Sequence, residues 1–243
     1  MPTNICLIIP CYNEAARLDF NRLKALPAGV TCLLVNDGSP DGTGDLIRRH
    51  ESDTLRLLDL PRNVGKGEAI RQGFLYARDQ QWLDSAEWVG YWDADLATPL
   101  SELEHFFAYA ALSDTPADGI LGSRVSKLGS TIVRSYPRHV LGRLFTTAAS
   151  ALLQLRCYDS QCGAKLFRTA VAHDAFGEPF VSRWIFDVEI IARLRGRRLI
   201  ECPLRQWADV RGSKLSVVKV AVRTVVDLVR IRLRYGRVPS APL

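Results

Sequence analysis

The chain has 243 residues, 47% of them hydrophobic and 24% charged. This composition is typical of a globular protein and excludes disordered and fibrous classes. The net charge of +6 favours an anionic partner, such as a nucleotide, a phospholipid surface or a nucleic acid. No stretch of about 18 uncharged apolar residues is present and the N-terminus lacks signal-peptide features, so we expect neither a transmembrane helix nor a leader.

Six cysteines are scattered along the chain without Cys-x-x-Cys or zinc-ligand spacing. Several of them lie in apolar runs. We therefore expect buried, reduced thiols and a cytosolic location.

Short apolar runs alternate with helical segments in the first half of the chain. The runs predict strands at 5–9, 30–35 and 55–60 and a fourth strand that ends at Asp93. The segments between them predict helices at 15–26, 43–51 and 68–80. Further strands are predicted at 120–124 and 201–207, and further helices at 140–155, 183–194 and 217–235. This alternation indicates an α/β fold with a mostly parallel central sheet and helices on both faces.

Acidic residues follow three of these strands, and a lysine precedes a helix. Glu14 follows the first strand, Asp37 the second, and Asp93-Ala94-Asp95 the fourth. In a parallel sheet these positions share one edge, where open α/β proteins bind ligands, and Lys66 enters the same crevice. Paired carboxylates suit a hard divalent cation that also binds phosphates. The set therefore predicts a site for a nucleoside diphosphate and a metal, against the alternative that Asp-x-Asp is a surface turn.

Two common nucleotide motifs are absent. Gly65-Lys66-Gly67 lacks the spacing of a P-loop, and no Gly-x-Gly-x-x-Gly follows the first strand. The sequence therefore disfavours a P-loop hydrolase and a dinucleotide oxidoreductase.

Motifs in the chain resemble those of the family 2 glycosyltransferases with the GT-A fold. The motifs are Pro10-Cys11-Tyr12-Asn13-Glu14, Asn36-Asp37-Gly38-Ser39, Asn63-x-Gly65-Lys66-Gly67 and Asp93-Ala94-Asp95. Later segments resemble dolichyl-phosphate glucose synthases, namely Gly122-Ser123-Arg124, Arg134-Ser135, 159–167, 183–189 and 212–215. The resemblance runs from about residue 5 to 235 with its motifs in the family's order.

The resemblance implies inverting transfer of a hexose, glucose above all, from UDP-glucose to a dolichyl or polyprenyl phosphate. It implies donor binding by Pro10, Tyr12, Glu14, Asp37, Lys66 and Asp93, and a Mg²⁺ or Mn²⁺ ion held by Asp93 and Asp95. It implies an acceptor-phosphate site at Arg124, Arg134 and Arg138, and catalytic roles for Asp95, Asp159, Arg124 and Lys214. The partners are then a nucleotide sugar, a lipid phosphate and a membrane surface, without nucleic acid.

Two positions depart from this pattern, so alternatives remain open. Leu96 stands where the glucose enzymes usually have Gly, and Ala97 where mannose synthases usually have Gln. Mannose transfer from GDP-mannose is thus an alternative, as is transfer to a hydroxyl with Asp159 as the base. A nucleotidyltransferase or a non-enzymatic nucleotide- or membrane-binding module are weaker alternatives.

Several segments allow a structural interpretation beside the functional one. Asp187 and Glu189 could simply stabilise a helix end, and Lys214 could be a surface residue. The segment 140–155 could be a core helix or lie on a membrane, as could the basic helix 217–235. We expect a catalytic domain at 1–215, including an interface helix at 139–155, and a basic C-terminal helix and tail at 216–243. We expect the protein to lie peripherally on the cytoplasmic face of a membrane.

Overall fold

A computed structural model describes residues 4–133, 136–208 and 217–236, with the backbone alone at 136–144 and 217–223. Within these residues a central sheet has seven strands in the order β3-β2-β1-β4-β7-β5-β8. The strands are β1 (Ile5–Cys11), β2 (Val30–Asn36), β3 (Leu55–Asp59), β4 (Trp88–Trp92), β5 (Gly119–Ser123), β7 (Ala164–Arg168) and β8 (Leu199–Pro203). A small second sheet pairs β6 (Thr131–Val133) with β9 (Gln206–Ala208).

The first four strands are parallel and are covered on both faces. In β1, β2 and β4 nearly every residue is buried, which explains their apolar runs without alternation. Leu7 and Leu34 contribute to the core on one face, and Ile8 and Leu33 to the core on the other. The predicted mostly parallel α/β architecture is confirmed.

One strand that the sequence pattern did not predict lies in the middle of this sheet. β7 is antiparallel to both of its neighbours, β4 and β5, and it separates them. The segment was interpreted only as a turn followed by apolar residues, because a strand with a lysine at its second position does not have the pattern of a buried strand.

Eight helices surround the sheets in the described residues. They are α1 (Phe20–Lys24), α2 (Thr43–Arg48), α3 (Lys66–Asp79), α4 (Glu102–Ala110), α5 (Tyr136–Leu153), α6 (Thr169–Phe176), α7 (Phe186–Arg193) and α8 (Val217–Tyr235). The predictions for α2, α3, α5, α7 and α8 are confirmed, with shifted ends. Neither α4 nor α6 was predicted.

Two predicted elements were wrong in extent. The helix expected at 15–26 is reduced to α1, because Asp19 accepts hydrogen bonds from the backbone of Asn21 and Arg22 and starts the helix there. The strand expected at 201–207 is instead the end of β8 followed by β9, which belong to different sheets.

The C-terminal helix α8 packs on the protein rather than standing free. Ala149 and Leu153 of α5, Val188 of α7, and Leu228 and Ile231 of α8 form one buried cluster. The other side of α8 exposes Val225, Val226, Val229 and Leu233. Among the helices that the structure describes, none has the length and apolarity needed to cross a bilayer. The expected boundary between residues 215 and 216 lies outside the described residues.

Candidate active site

A crevice of about 530 Å³ opens at the carboxyl ends of β1 and β2. Five of the six predicted donor-binding residues line it, namely Pro10, Tyr12, Glu14, Asp37 and Lys66. They come from the end of β1, from the turns after β1 and β2, and from the start of α3. The opposite wall comes from Arg183, Trp184 and Phe186, at the start of α7. The crevice therefore joins elements that are more than 100 residues apart in the chain.

Asp37 holds the loop that leads into α3. Its carboxylate accepts hydrogen bonds from the backbone N–H of Val64 at 2.6 Å and of Gly65 at 2.9 Å. Burial raises the pKa of Asp37, and these two hydrogen bonds partly oppose that rise. Gly65 has φ +95°, and a Cβ atom there would clash with the Arg183 side chain, so only glycine fits. Asp37 thus shapes the crevice as well as lining it.

Lys66 connects the crevice to the Asp-x-Asp segment. Its Nζ lies 2.5 Å from Oδ1 of Asp93. Burial by itself would lower the pKa of Lys66, but the negative charges of Asp93 and Asp187 outweigh it and raise the pKa. The lysine is therefore a fixed cation beside the predicted metal ligands.

Asp95 lies in a turn directly after Asp93. Its Oδ1 accepts a hydrogen bond from the backbone N–H of Ala97 at 3.0 Å. Burial raises the pKa of Asp95, and the neighbouring charge of Asp93 raises it further. The turn also places Leu96 at φ +48°, in the left-handed region that a leucine rarely adopts. The Leu96 side chain is 3% exposed and belongs to the core, which holds it there.

Glu14 is paired with a neighbour rather than free. Its carboxylate lies 2.5 Å from Nη2 of Arg17. Burial raises the pKa of Glu14, and the charges of Asp95 and Asp41 add to the rise while Arg17 opposes it. Because Asp95 influences Glu14 in this way, the acids that follow β1 and β4 share one electrostatic environment, as the sequence predicted.

Arg124 and Asp159 form a buried bidentate pair. Nε and Nη2 of Arg124 donate to the two Asp159 oxygens, both at 2.7 Å, and the Arg124 backbone N–H donates at 3.0 Å. Burial alone would raise the pKa of Asp159, but the hydrogen bonds and charge of Arg124 outweigh it and hold the pKa below its usual value. Glu201 accepts hydrogen bonds from the backbone of Tyr158 and Asp159 and so fixes their loop. Asp159 is thus a weakly basic anchor for Arg124.

A buried charged cluster below Asp93 was missed by sequence reasoning. Lys165 of β7 is fully buried, and its Nζ lies 2.5 Å from Oδ1 of Asp187 in α7, which also accepts a hydrogen bond from the Tyr91 hydroxyl. Asp187 therefore does more than stabilise a helix end. Gly163 precedes this strand, and a Cβ atom there would overlap the Asp93 carboxylate, so the loop packs directly on the Asp-x-Asp segment. The one sequence signal for this cluster was a lysine inside an apolar run.

The remaining predicted site residues cannot be placed in the same detail. Arg134 and Lys214 lie outside the described residues. Arg138 belongs to the first turns of α5, where only the backbone is described. In the described residues there is also no group of three or more His, Cys, Asp or Glu side chains arranged to hold a metal. Asp93 and Asp95 thus remain the predicted carboxylate pair, and an ion that completes its shell with phosphate and water would suit such a pair.

Comparison with curated proteins finds similarity over almost the whole chain. The dolichyl-phosphate beta-glucosyltransferase of Homo sapiens is 32% identical over 95% of this chain and 75% of its own length. The Dictyostelium discoideum protein of the same name is 31% identical, over 95% and 74%. The Saccharomyces cerevisiae protein is 29% identical, over 95% and 75%.

Solved structures with similar backbones share the architecture at low sequence identity. Glucosyl-3-phosphoglycerate synthase from Mycobacterium tuberculosis, in complex with Mn²⁺, UDP and phosphoglyceric acid, has a TM-score of 0.68 at 14% identity, covering 98% of this chain and 80% of that one. Mannosyl-3-phosphoglycerate synthase from Rubrobacter xylanophilus has a TM-score of 0.67 at 15% identity, covering 99% and 79%. These similarities confirm the predicted GT-A fold.

The model of the family "Glycosyl transferase family 2" matches residues 6–176, which contain β1 to β4, the Asp-x-Asp segment, Arg124 and Asp159. With this match and the similarity to the beta-glucosyltransferases, the chain belongs to glycosyl transferase family 2.

Proposed function

We propose that the protein transfers glucose from UDP-glucose to dolichyl or polyprenyl phosphate and inverts the anomeric centre. The observation that carries this proposal is the near full-length similarity to enzymes named dolichyl-phosphate beta-glucosyltransferase. The crevice lined by Tyr12, Asp37 and Lys66 is the place for the donor nucleotide. An α-linked donor attacked from the opposite face gives the β-linked product that those names describe.

The donor diphosphate is negatively charged and would lie beside the carboxylates of the site, so binding it requires a positive charge. Asp93 and Asp95 are oxygen ligands suited to Mg²⁺ or Mn²⁺, and such an ion would stabilise the negative charge that develops on the leaving diphosphate. Burial and, after it, the negative charge of Asp93 raise the pKa of Asp95, so a bound cation would stabilise the charged form of these carboxylates. Lys66, paired with Asp93, adds a fixed positive charge at the mouth of the crevice.

The acceptor side provides cations rather than a base. A phosphate monoester has its second pKa near roughly 6, so the acceptor is largely ionised at neutral pH and needs no strong base. Arg124, with Arg134, Arg138 and Lys214, would bind and orient it. Asp159 is a poor base because its pKa is lowered, which disfavours the alternative of a hydroxyl acceptor. Arg124 has five N–H donors and uses two on Asp159, so three remain for a phosphate.

The test is turnover with labelled donors. The protein is incubated with UDP-glucose or GDP-mannose, and with dolichyl phosphate or a free alcohol as acceptor, and the lipid phase is analysed. We expect β-glucosyl phospholipid from the first donor only. Preference for GDP-mannose would overturn the donor assignment, and transfer to the alcohol would overturn the acceptor assignment.

Metal binding can be tested apart from turnover. Calorimetry should show that Mg²⁺ or Mn²⁺ tightens the binding of UDP to the parent protein. Asp95→Ala should remove that effect, while UDP binding in chelator stays unchanged in both proteins. Metal-enhanced UDP binding by the variant would contradict the role of Asp95.

We further propose that α5 and α8 meet the cytoplasmic face of a membrane, where a lipid acceptor would lie. The exposed valines of α8 and Leu152 of α5 are apolar, and α8 also carries Arg230, Arg232 and Arg234. Each basic residue at an anionic leaflet is worth roughly 1 kcal/mol, so three contribute about 3 kcal/mol, screened by salt.

Flotation with vesicles containing anionic lipid tests this surface. Replacing Arg230, Arg232 and Arg234 by Gln should abolish most low-salt binding. A matched control replaces three other half-exposed arginines, Arg48, Arg56 and Arg78, which lie on α2, β3 and α3. Equal loss of binding in both triple variants would mean that net charge, and not this surface, attracts the vesicles.

A further inference from the structure

A buried hydroxyl connects the far wall of the donor crevice to the C-terminal helix. Ser182 is 1% exposed and Asp227 of α8 is 4% exposed. The Ser182 Oγ donates a hydrogen bond to Oδ2 of Asp227 at 2.7 Å. This hydrogen bond joins two elements that are 45 residues apart in the chain.

The same hydroxyl holds the backbone of the wall. Ser182 Oγ accepts hydrogen bonds from the backbone N–H of Trp184 at 3.2 Å and of Ile185 at 3.1 Å. A hydroxyl has one donor and two acceptor sites, so Ser182 is fully used. Its orientation is set by Asp227, because the carboxylate accepts the only proton that the hydroxyl can donate.

The residues held in this way reach the loop that opens the crevice on the other side. Arg183, next to Ser182, donates a hydrogen bond to the side chain of Asn63 and packs where Gly65 has no Cβ atom. Trp184 is 44% exposed and lines the crevice. A displacement of the Ser182 turn would therefore move the Trp184 ring and the Arg183 guanidinium together, beside Lys66.

We propose that Asp227 is a positioning residue for the donor crevice, which acts through Ser182 to fix the wall formed by Arg183 and Trp184. The nucleoside-diphosphate donor is that of the proposed function, on which this inference rests. Helix α8 is then part of the nucleotide-binding machinery as well as a packing element. Nothing in the sequence motifs around Asp227 indicates such a role.

The effect of the Ser182–Asp227 hydrogen bond on the wall can be tested without any ligand. Hydrogen exchange of the Trp184 and Ile185 amides is measured in the parent, Ser182→Ala, Asp227→Ala and Asp227→Asn. Asp227→Ala loses one hydrogen bond of ordinary strength and should accelerate exchange by about threefold to tenfold. Ser182→Ala removes the acceptor of both amides and should accelerate exchange by at least as much. Asp227→Asn keeps an oxygen acceptor and should restore protection. Ser182→Ala deletes one oxygen atom and keeps the test valid if Asp227→Ala fails to fold.

The consequence for the donor is measured by calorimetry with UDP and by donor kinetics. Both alanine variants should weaken UDP binding by about threefold to tenfold and raise the donor KM by a similar factor, with kcat within about twofold. The control is Gln154→Asn, whose shorter side chain gives up the 3.4 Å hydrogen bond that Gln154 accepts from Arg232 of α8, and neither residue lines the crevice. It should bind UDP as the parent does.

The outcomes separate the two proposals. If Asp227→Ala exchanges and binds UDP as the parent does, Asp227 is not a positioning residue. If Gln154→Asn weakens UDP binding as much as Asp227→Ala, general loosening of α8 is the cause and the specific role of the Ser182–Asp227 hydrogen bond is wrong. If the parent does not bind UDP, the proposed donor is wrong, and faster exchange in the alanine variants still decides whether Asp227 holds this wall.

Discussion

The buried pair of Lys165 and Asp187 offers the sharpest test of the electrostatics beneath the site. We predict that Lys165→Met strongly destabilises the protein although methionine fills a similar volume. The Lys165 ammonium has its hydrogen bonds inside the protein, to Asp187 and to the carbonyl oxygen of Cys162. Without it, the Asp187 carboxylate remains buried with the Tyr91 hydroxyl as its nearest donor.

The size of the effect follows from what is left uncompensated. Removing one partner of a buried ion pair costs about 3–5 kcal/mol, which is a large part of the roughly 5–15 kcal/mol by which domains are stable. Replacing both partners, as in Lys165→Met with Asp187→Leu, removes the unpaired charge. The double variant then loses about 1–3 kcal/mol for the Tyr91 hydroxyl that keeps no acceptor. It should therefore be more stable than the single variant.

Urea unfolding followed by circular dichroism measures these differences as changes in midpoint at constant slope. A further variant adds Tyr91→Phe to the double replacement and should recover most of the remaining loss. A cost of less than about 1 kcal/mol for Lys165→Met would show that the pair is hydrated or not formed, and the reasoning would fail. Additive costs in the double variant would refute it as well.

Two other predictions concern a strained turn and an acid-sensitive pair. Leu96 has φ +48°, so glycine should be better tolerated there than alanine. In urea unfolding, Leu96→Gly should be more stable than Leu96→Ala by about 1 kcal/mol, whereas at ordinary positions alanine is the more stable of the two. A more stable alanine variant would contradict the strain. The lowered pKa of Asp159 means that its pairing with Arg124 stabilises the fold above the unfolded pKa of about 3.9 and that this stability is lost as pH falls through the folded pKa. Asp159→Asn should be less stable than the parent at pH 7 and should lose less stability as the pH falls. Parallel curves of stability against pH for parent and variant would refute the stabilising role of this ion pair.

The sequence predicted the placement of the acids at one sheet edge well because the signals for it are local. Turns after buried strands must lie at one edge of a parallel sheet, so the positions of Glu14, Asp37 and Asp93 followed from strand order alone. The buried charged cluster below Asp93 was harder to predict. The antiparallel strand β7 contains Lys165, whose burial depends on Asp187, more than 20 residues away, and local periodicity carries no information on such a partner.

The wall made by Arg183 and Trp184 illustrates the same limit. Sequence reasoning recognised the segment as a motif and as the start of a helix, yet it assigned neither residue to the donor crevice. Their place there depends on Ser182, on Asp227 in the last helix, and on the absence of a side chain at Gly65. Such a site is specified by contacts between distant segments, which only the folded chain reveals.

The pairing of Arg124 with Asp159 explains why an arginine suits this position. A lysine could satisfy the buried carboxylate or a phosphate, but its single ammonium would have to serve both. The planar guanidinium gives Asp159 two parallel hydrogen bonds and keeps its remaining N–H groups directed elsewhere.

The Trp207 ring lies 5.4 Å from the Arg124 guanidinium carbon and fixes its plane from a second element, β9. The cation is thus oriented before any acceptor arrives, so little of the binding energy of a phosphate is spent on ordering the side chain. A rigid, permanently charged donor next to a carboxylate that resists protonation would suit the anionic acceptor proposed above, and it would contribute little to the deprotonation of an alcohol.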